Sequence, residues 1–390
     1  MYLGLIEARY DYQMSYLDQW AKAWRGAATK VENFNIVRTE EHESLLRKAN
    51  QFDLLVALHS VTADSNYWLE RLSRLSHASR SPLILFVGNE FSSPFLSTET
   101  RLKNISAVAP EIIATQIPVE SARWLYESTG SLVVAAPPGL PDITFPAEQA
   151  SRKIDLGYRG FPYPWYLLDE DRNSTTKEVS DLFKSLGKKV DISYTQRFNS
   201  NEWFEFLQNS FFTASSEAGS RYVFRDDAIW QPVQEYFSTH HKFSAVKNDA
   251  VGMNLLRQLP APLKRFLRRI TNAAGVNQAS LYQPSSQEIK QLKALIDPSR
   301  FEFRDGKAIS SRHFDAIACG TWQLLKPGSY NDILEPEVHY SPWKPTNFSV
   351  ISELIANPNM AREKAREALE NLKSSQTYRI RVDGLLRALG

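Results

Sequence analysis

Twice along its 390 residues the chain alternates short apolar runs with longer amphipathic ones, and this period restricts the fold more than any single motif does. The first pass reads YLGLIEA, then SYLDQWAKAWRG; FDLLVALHS, then NYWLERLSRLS; PLILFVGNE, then TETRLKNISAV; IIATQIP, then VESARWLYEST; and finally SLVVAAPPGLP. The apolar runs have strand length and the intervening segments have helical periodicity. Such units in succession predict a parallel sheet with helices on both faces. Neither G-x-G-x-x-G after the first strand nor a phosphate-cradling G-x-x-x-x-G-K-[ST] occurs, which argues against redox or nucleotide-hydrolysing chemistry.

Near Pro137 the period breaks into PPGLPDITFPAEQASRK, whose prolines and glycine read as an interdomain connection. A second pass follows with KIDLGYRG, EVSDLFKSLG, KKVDISY, NEWFEFLQNS, FFTASSE and, much later, SRHFDAIACG, TWQLLK and two terminal helices. Between these last groups, from about 228 to 300, a polar and mostly helical stretch reads as an insertion. The expected architecture is α/β: two Rossmann-like domains, 1–145 and 146–375, facing each other across a cleft, with 376–390 a terminal helix packing back on the first. Strand carboxyl ends on both sides would open toward that cleft, where ligand is expected.

Lys and Arg number 46 against 44 Asp and Glu, a near-neutral balance that gives no broad field for nucleic acid. One cysteine makes neither an internal disulfide nor a zinc cage. The opening MYLGLIEARYDYQ lacks the uninterrupted apolar core of a signal peptide, and no run reaches the length of a membrane span. A cytoplasmic protein is expected.

Several landmarks of the second half then fall in a familiar order. PPGLPDITFP, IDLGYRG, SSEAGS, SRHFDAIACGT, GSYNDILEPEVHYSPW and ELIANPNMAREKAREALENLKSSQTYRIRVDGLL together resemble the GT-B fold glycosyltransferases. The group resembled carries the "glycosyl transferases group 1" signature in its C-terminal half, and the motifs are similar to its spore-maturation-protein-like branch. Across 137–390 the resemblance lies in motifs, and across 1–136 in architecture.

The resemblance implies transfer of a sugar from a nucleotide-sugar donor, bound by the second domain, to a glycan or lipid-linked acceptor, in cell-surface polysaccharide or glycoconjugate synthesis. It implies no metal and no cofactor. Arg159 matches the basic residue on the leaving diphosphate, with Gly160 beside it, and Arg172, Arg197 or Arg221 would supply a second charge. Glu217, in a loop with Gly219 and Ser220, matches the acid near the donor sugar, and Asp315 the acid that holds the ribose. The family separates its two glutamates by seven residues. Here the insertion lies between them and the second acid is Asp. Two other readings keep the fold: a non-catalytic partner subunit, and a nucleotide-sugar epimerase that needs no acceptor.

The residues themselves support a diphosphate seat. Ser310 and Ser311 precede a helical run, so free N–H groups and the positive dipole end there suit an anion, and Arg312 adds a charged donor. His313 is a further candidate for phosphate contact, and Phe198 for flanking the base. Trp165 and Trp203 are the other aromatic candidates for ligand contact. A base for the acceptor hydroxyl is expected at an N-domain strand end, from Glu7, Asp11, His59 or Glu90.

Blander readings stand beside sharper ones. The triplet Asp169, Glu170, Asp171 invites a metal, but reads first as a solvated loop or acidic helix start. Cys319, between Ala318 and Gly320, reads as packing rather than as a nucleophile. PLKRFLRRI places Leu263, Phe266, Leu267 and Ile270 on one helical face and Lys264, Arg265, Arg268 and Arg269 on the other. This basic amphipathic helix at 262–270 is a candidate contact with an anionic membrane surface, peripheral on its inner face, or a simple cover for the second domain.

Overall fold

The computed structural model describes residues 1–9, 15–63, 65–143, 145–146, 152–196, 198–240 and 284–390. Two parallel sheets organise it. The first contains β1 (Tyr2–Glu7), β2 (Lys30–Asn35), β3 (Leu54–Ala57), β4 (Leu83–Phe86), β5 (Ile112–Thr115) and β6 (Leu132–Ala135), in the order β2-β1-β3-β4-β5-β6. The second contains β7 (Ile154–Arg159), β8 (Val190–Ser193), β9 (Ser210–Ser215), β10 (Trp322–Leu325) and β11 (Ser341–Pro342), ordered β11-β10-β9-β7-β8. This is the paired α/β arrangement of two parallel sheets that the alternation leads one to expect.

β3, β4 and β5 are buried at every residue, as apolar runs covered by helices on both faces must be. Several helices begin at side-chain caps. Asn199 caps Ser200–Gln208 in a reciprocal box with Glu202, at 3.0 and 2.9 Å, and Ser97 accepts from the Thr100 amide at the start of Thr98–Val108. β2 and the helix Thr39–Lys48 have no counterpart among the expected elements, and the chain closes on three helices, Phe348–Ala356, Pro358–Leu372 and Tyr378–Leu389, where two are expected. β2 is a half-exposed edge strand, KVENFN, too polar to register as an apolar run.

The sheets have separate cores. Trp20, Trp24, Phe86 and Tyr378 pack under one face of the first, with Trp20 centred 4.6 Å from Phe86 and 5.0 Å from Tyr378. Tyr378 belongs to the last helix, Tyr378–Leu389, which lies on Ser15–Ala27 and donates from Arg379 to the Gly26 carbonyl at 2.7 Å. Phe183, Phe212, Phe314, Trp322 and Tyr340 anchor the second core.

A further tie joins the halves. Residues 218–223 and 304–308 bridge antiparallel at Ala218–Ala308 and Val223–Arg304, forming a ribbon that leaves the second sheet for the first. Val223 enters the first core. The Trp124 ring lies between the Arg225 and Arg304 guanidiniums at 4.4 and 4.8 Å, and its Nε1 donates to Glu302 at 3.0 Å. Asp227 accepts from the Ser97 hydroxyl at 2.5 Å and the Thr98 amide at 2.8 Å. The ribbon flanks the expected insertion. Of that insertion the structure describes the helices Gln231–His240 and Ser286–Ala294, and the basic segment 262–270 lies outside the described residues.

Candidate functional site

The strand carboxyl ends of both sheets line one cavity of about 520 Å3. From the first sheet come Ala8 and Arg9 after β1, Ser60 and Ala63 after β3, Gly88 to Phe91 after β4, and Gln116 and Ile117 after β5. Phe161 to Pro164 follow β7, and Ala218 and Gly219 follow β9. Ser310 and Ser311 place the amino end of the helix Ser311–Ala318 on the wall. Gly219 has φ +84°, and a Cβ there would collide with the Gly306 carbonyl oxygen, so only glycine fits this wall.

Arg172 is the cation of the second wall. It is 8% exposed, lies 4.0 Å from the centre of the Tyr163 ring and points Nη2 at the Ser216 and Glu217 carbonyls, both at 3.4 Å. No carboxylate pairs with it, and its Nε has no hydrogen-bond partner among the described residues. A buried guanidinium without a counter-charge, beside a helix amino end, is suited to an anion supplied by ligand. On the first wall, Arg9 is already neutralised by Glu7 and by Asp18, the latter at 3.1 Å. Asp18 also accepts from the Ser200 hydroxyl of the other half at 2.7 Å.

The residues expected from sequence divide sharply. Gly219, Glu90, Ser310 and Ser311 line the cavity. Arg159 does not. Its guanidinium donates to Asp191 Oδ1 at 2.8 Å and to the Asp191 carbonyl at 2.9 Å, and is stacked on Phe206 at 4.2 Å and Phe198 at 5.1 Å. Phe198 thus covers Arg159. Arg312 donates to the Arg159 carbonyl at 2.8 Å and sits against Tyr158 and Trp203, so tightly that Gly160 has room for no Cβ. Burial lowers the Arg312 pKa.

Both acids of the expected pair are turned inward. Asp315 is 1% exposed and accepts from Trp203 Nε1 at 2.9 Å; burial pushes its carboxyl up to about 7. Glu217 accepts from the Ser329 hydroxyl at 3.1 Å and the Tyr330 amide at 2.6 Å, holding the turn after β10. Ser220 is buried and donates to the Leu167 carbonyl at 2.8 Å. His313 is wholly buried with Nδ1 accepting from the Ser310 amide at 3.0 Å, and burial holds the ring neutral with a pKa of about 3. Trp165 belongs to a core cluster with Phe224 and Trp230.

Among the candidate bases, His59 is fully buried beside Trp20 and Phe86, its pKa lowered to about 3 by burial. Glu90 reaches the wall but holds the loop after β5, accepting from the Thr115 hydroxyl at 2.7 Å, the Tyr126 hydroxyl at 2.9 Å and the Gln116 amide at 2.8 Å. Burial raises its pKa. Asp11 and Arg197 lie outside the described residues.

Of the acidic triplet, Glu170 is exposed and paired with Lys293, as a solvated position would be, whereas the other two acids face Lys307. Asp169 is buried in an ion pair with Lys307, itself 3% exposed, and Asp171 begins the helix Asp171–Ser185 with Lys307 at 3.5 Å. Among the described residues no group of His, Cys, Asp and Glu side chains has the arrangement of a metal site. Cys319 is buried, with its thiol pKa raised well above the usual range. No helix among the described residues is long and apolar enough to cross a membrane.

No family model and no curated protein matches the chain. Solved structures similar to it over its length include Anabaena HepE in complex with UDP and glucose, at 12% identity and a TM-score of 0.48, covering 99% of this chain and 98% of that one. HepE in complex with UDP-glucose gives 12% identity and 0.43, covering 100% and 99%. The apo form of WaaB, a lipopolysaccharide outer core galactosyltransferase, gives 9% identity and 0.38, covering 100% of both chains.

Proposed function

We propose that this chain is a glycosyltransferase of the GT-B type, moving a sugar from a nucleotide donor held by the second wall to a glycan or lipid-linked acceptor held by the first. The reading includes a place in cell-surface polysaccharide or glycoconjugate synthesis and kinship with the spore-maturation-protein-like branch. The observation that carries it is the uncompensated, buried Arg172 beside the helix start at Ser310 and Ser311, on the wall of a cavity between two sheets.

When the anomeric C–O bond of such a donor breaks, its electron pair goes to the diphosphate oxygen. Arg172 and the N–H groups at the helix start would stabilise that growing charge in place. Arg172 thereby takes the role expected of Arg159, and the proposed chemistry uses no metal. The acceptor oxygen bonds to the anomeric carbon and gives up its proton. For an inverting transfer Asp18 is the acid most open to the cavity from the first wall, Glu90 being occupied by three donors. The basic segment 262–270 would bring the protein to the membrane that carries a lipid-linked acceptor.

A thermal-shift screen of UDP, GDP, CMP, ADP and dTDP sugars tests the donor half, because a ligand of the folded state raises its melting temperature. Consumption of the selected donor only when acceptor is added, and equally in EDTA, is expected. Absence of any shift with all five classes would overturn the reading.

A further inference from the structure

The turn after β10 runs Lys326-Pro-Gly-Ser-Tyr-Asn-Asp, and three successive non-glycine residues in it, Tyr330, Asn331 and Asp332, have φ of 48, 55 and 57°. Left-handed backbone costs an L-residue of order 1 kcal/mol or more, least for Asn, and three in a row persist only where surrounding contacts impose them. Those contacts are present. Glu217 fixes the Tyr330 amide at 2.6 Å, the Tyr330 hydroxyl donates to the Lys326 carbonyl at 2.5 Å, and the Asp332 amide donates to the Ser329 carbonyl at 2.8 Å.

The strained turn presents one carboxamide to both walls. Asn331 Oδ1 accepts from the Ile309 amide at 2.7 Å, immediately before the cavity-lining Ser310. Its Nδ2 donates to the Gln116 carbonyl of the opposite half at 3.2 Å. Gln116 lines the same cavity, and its own amide is held by Glu90 at 2.8 Å. The two buried acids therefore each hold one loop, and the Asn331 carboxamide joins those loops across the site.

We propose that Asn331 is a positioning residue that holds the donor-facing helix start in register with the first wall, so that diphosphate and acceptor meet at a fixed separation. The inference rests on the transferase reading for its effect on turnover, and on geometry alone for the link itself. Misplacement of reacting groups by about 1 Å costs on the order of 100-fold in rate, so even partial loss of register should lower kcat by about tenfold or more.

Two variants separate the halves of the link in the full chain. Asn331→Asp keeps an oxygen for the Ile309 amide but opposes the Gln116 carbonyl with a second acceptor. Asn331→Gly removes both bonds while remaining at ease with φ of 55°. Hydrogen exchange of the 306–311 segment should quicken in Asn331→Gly and stay at the wild-type rate in Asn331→Asp. Inorganic pyrophosphate, as a probe of the diphosphate seat, should bind Asn331→Asp within about twofold of wild type by calorimetry, one bond at the helix start being retained. With the donor selected from the five-class panel, Asn331→Asp should lose about tenfold or more in kcat and leave the donor KM unchanged. Wild-type kcat in Asn331→Asp, or a loss seen wholly as weaker pyrophosphate binding, would overturn the proposal. If wild type consumes no nucleotide sugar, the transferase reading fails, and unchanged exchange in Asn331→Gly then overturns the link as well.

Discussion

Replacing Arg172 by Met should weaken anion binding without weakening the fold, an unusual combination for a buried arginine. A guanidinium and a phosphate oxygen about 4 Å apart interact by about 4 kcal/mol at an effective dielectric near 20. Desolvating the incoming phosphate offsets part of this, leaving about 2 to 3 kcal/mol, or roughly 30- to 150-fold in affinity. The fold has less to lose. Arg172 has no carboxylate partner among the described residues, and both carbonyls it approaches at 3.4 Å have other donors: Ser215 Oγ for Ser216 and Ser216 Oγ for Glu217. Met retains most of the stack on Tyr163 and removes an uncompensated buried charge. Titration calorimetry with inorganic pyrophosphate, paired with urea unfolding, measures both quantities. Unchanged pyrophosphate affinity would refute Arg172 as the diphosphate cation, and a stability loss above about 2 kcal/mol would refute the claim that the free protein gains little from it.

Three further outcomes follow from the same geometry. Arg159→Ala should cost about 1 to 3 kcal/mol in urea unfolding, through its lost bonds to Asp191, and leave pyrophosphate affinity intact; weakened binding in a folded variant would return Arg159 to the site. Asp315 holds a proton up to about pH 7 when folded and releases it near 3.9 when unfolded, so its contribution makes stability fall as pH rises between those values and level off above 7. Asp315→Asn should remove that slope, and an unchanged difference between urea midpoints at pH 5 and pH 8 would show the carboxyl to be ionised in the fold. Lys307→Met should strand the buried Asp169 and cost about 3 to 5 kcal/mol, with Asp169→Asn on the same chain restoring much of it; additive losses would exclude a coupled pair.

The sheets were legible because their strands are apolar on both faces and their helices amphipathic, so each residue choice repeats the architecture. β2 escaped because an edge strand exposed along one side need not be apolar. The helix start at Ser310 was also legible, since capping is local. Its neighbours were not. Arg159 and Arg172 are thirteen positions apart and chemically identical, and only the placement of Asp191 beside one of them decides which cation remains for a ligand. Asp315 and His313 carry reactive groups on a helix whose burial has to be known before their direction is. Asn331 gives a weak signal at most, a Gly-Ser-Tyr-Asn-Asp turn in which asparagine tolerates positive φ, and nothing local discloses that its amide spans to Gln116.

The ribbon at 218–223 and 304–308 changes how traffic through the cavity has to work. The two chain crossings near Leu140 and Thr377 run side by side, the Leu140 amide bonding the Gln376 carbonyl at 2.7 Å, and alone they would let the halves swing like covers on a spine. The ribbon is a bolt added to that spine: any wide swing must pull Val223 from the first core, separate Trp124 from two arginines and part Asp227 from Ser97 and Thr98. In the proposed transfer, product escape and bolt opening would then share one clock, and substitutions at Trp124, which does not line the cavity, would set its rate.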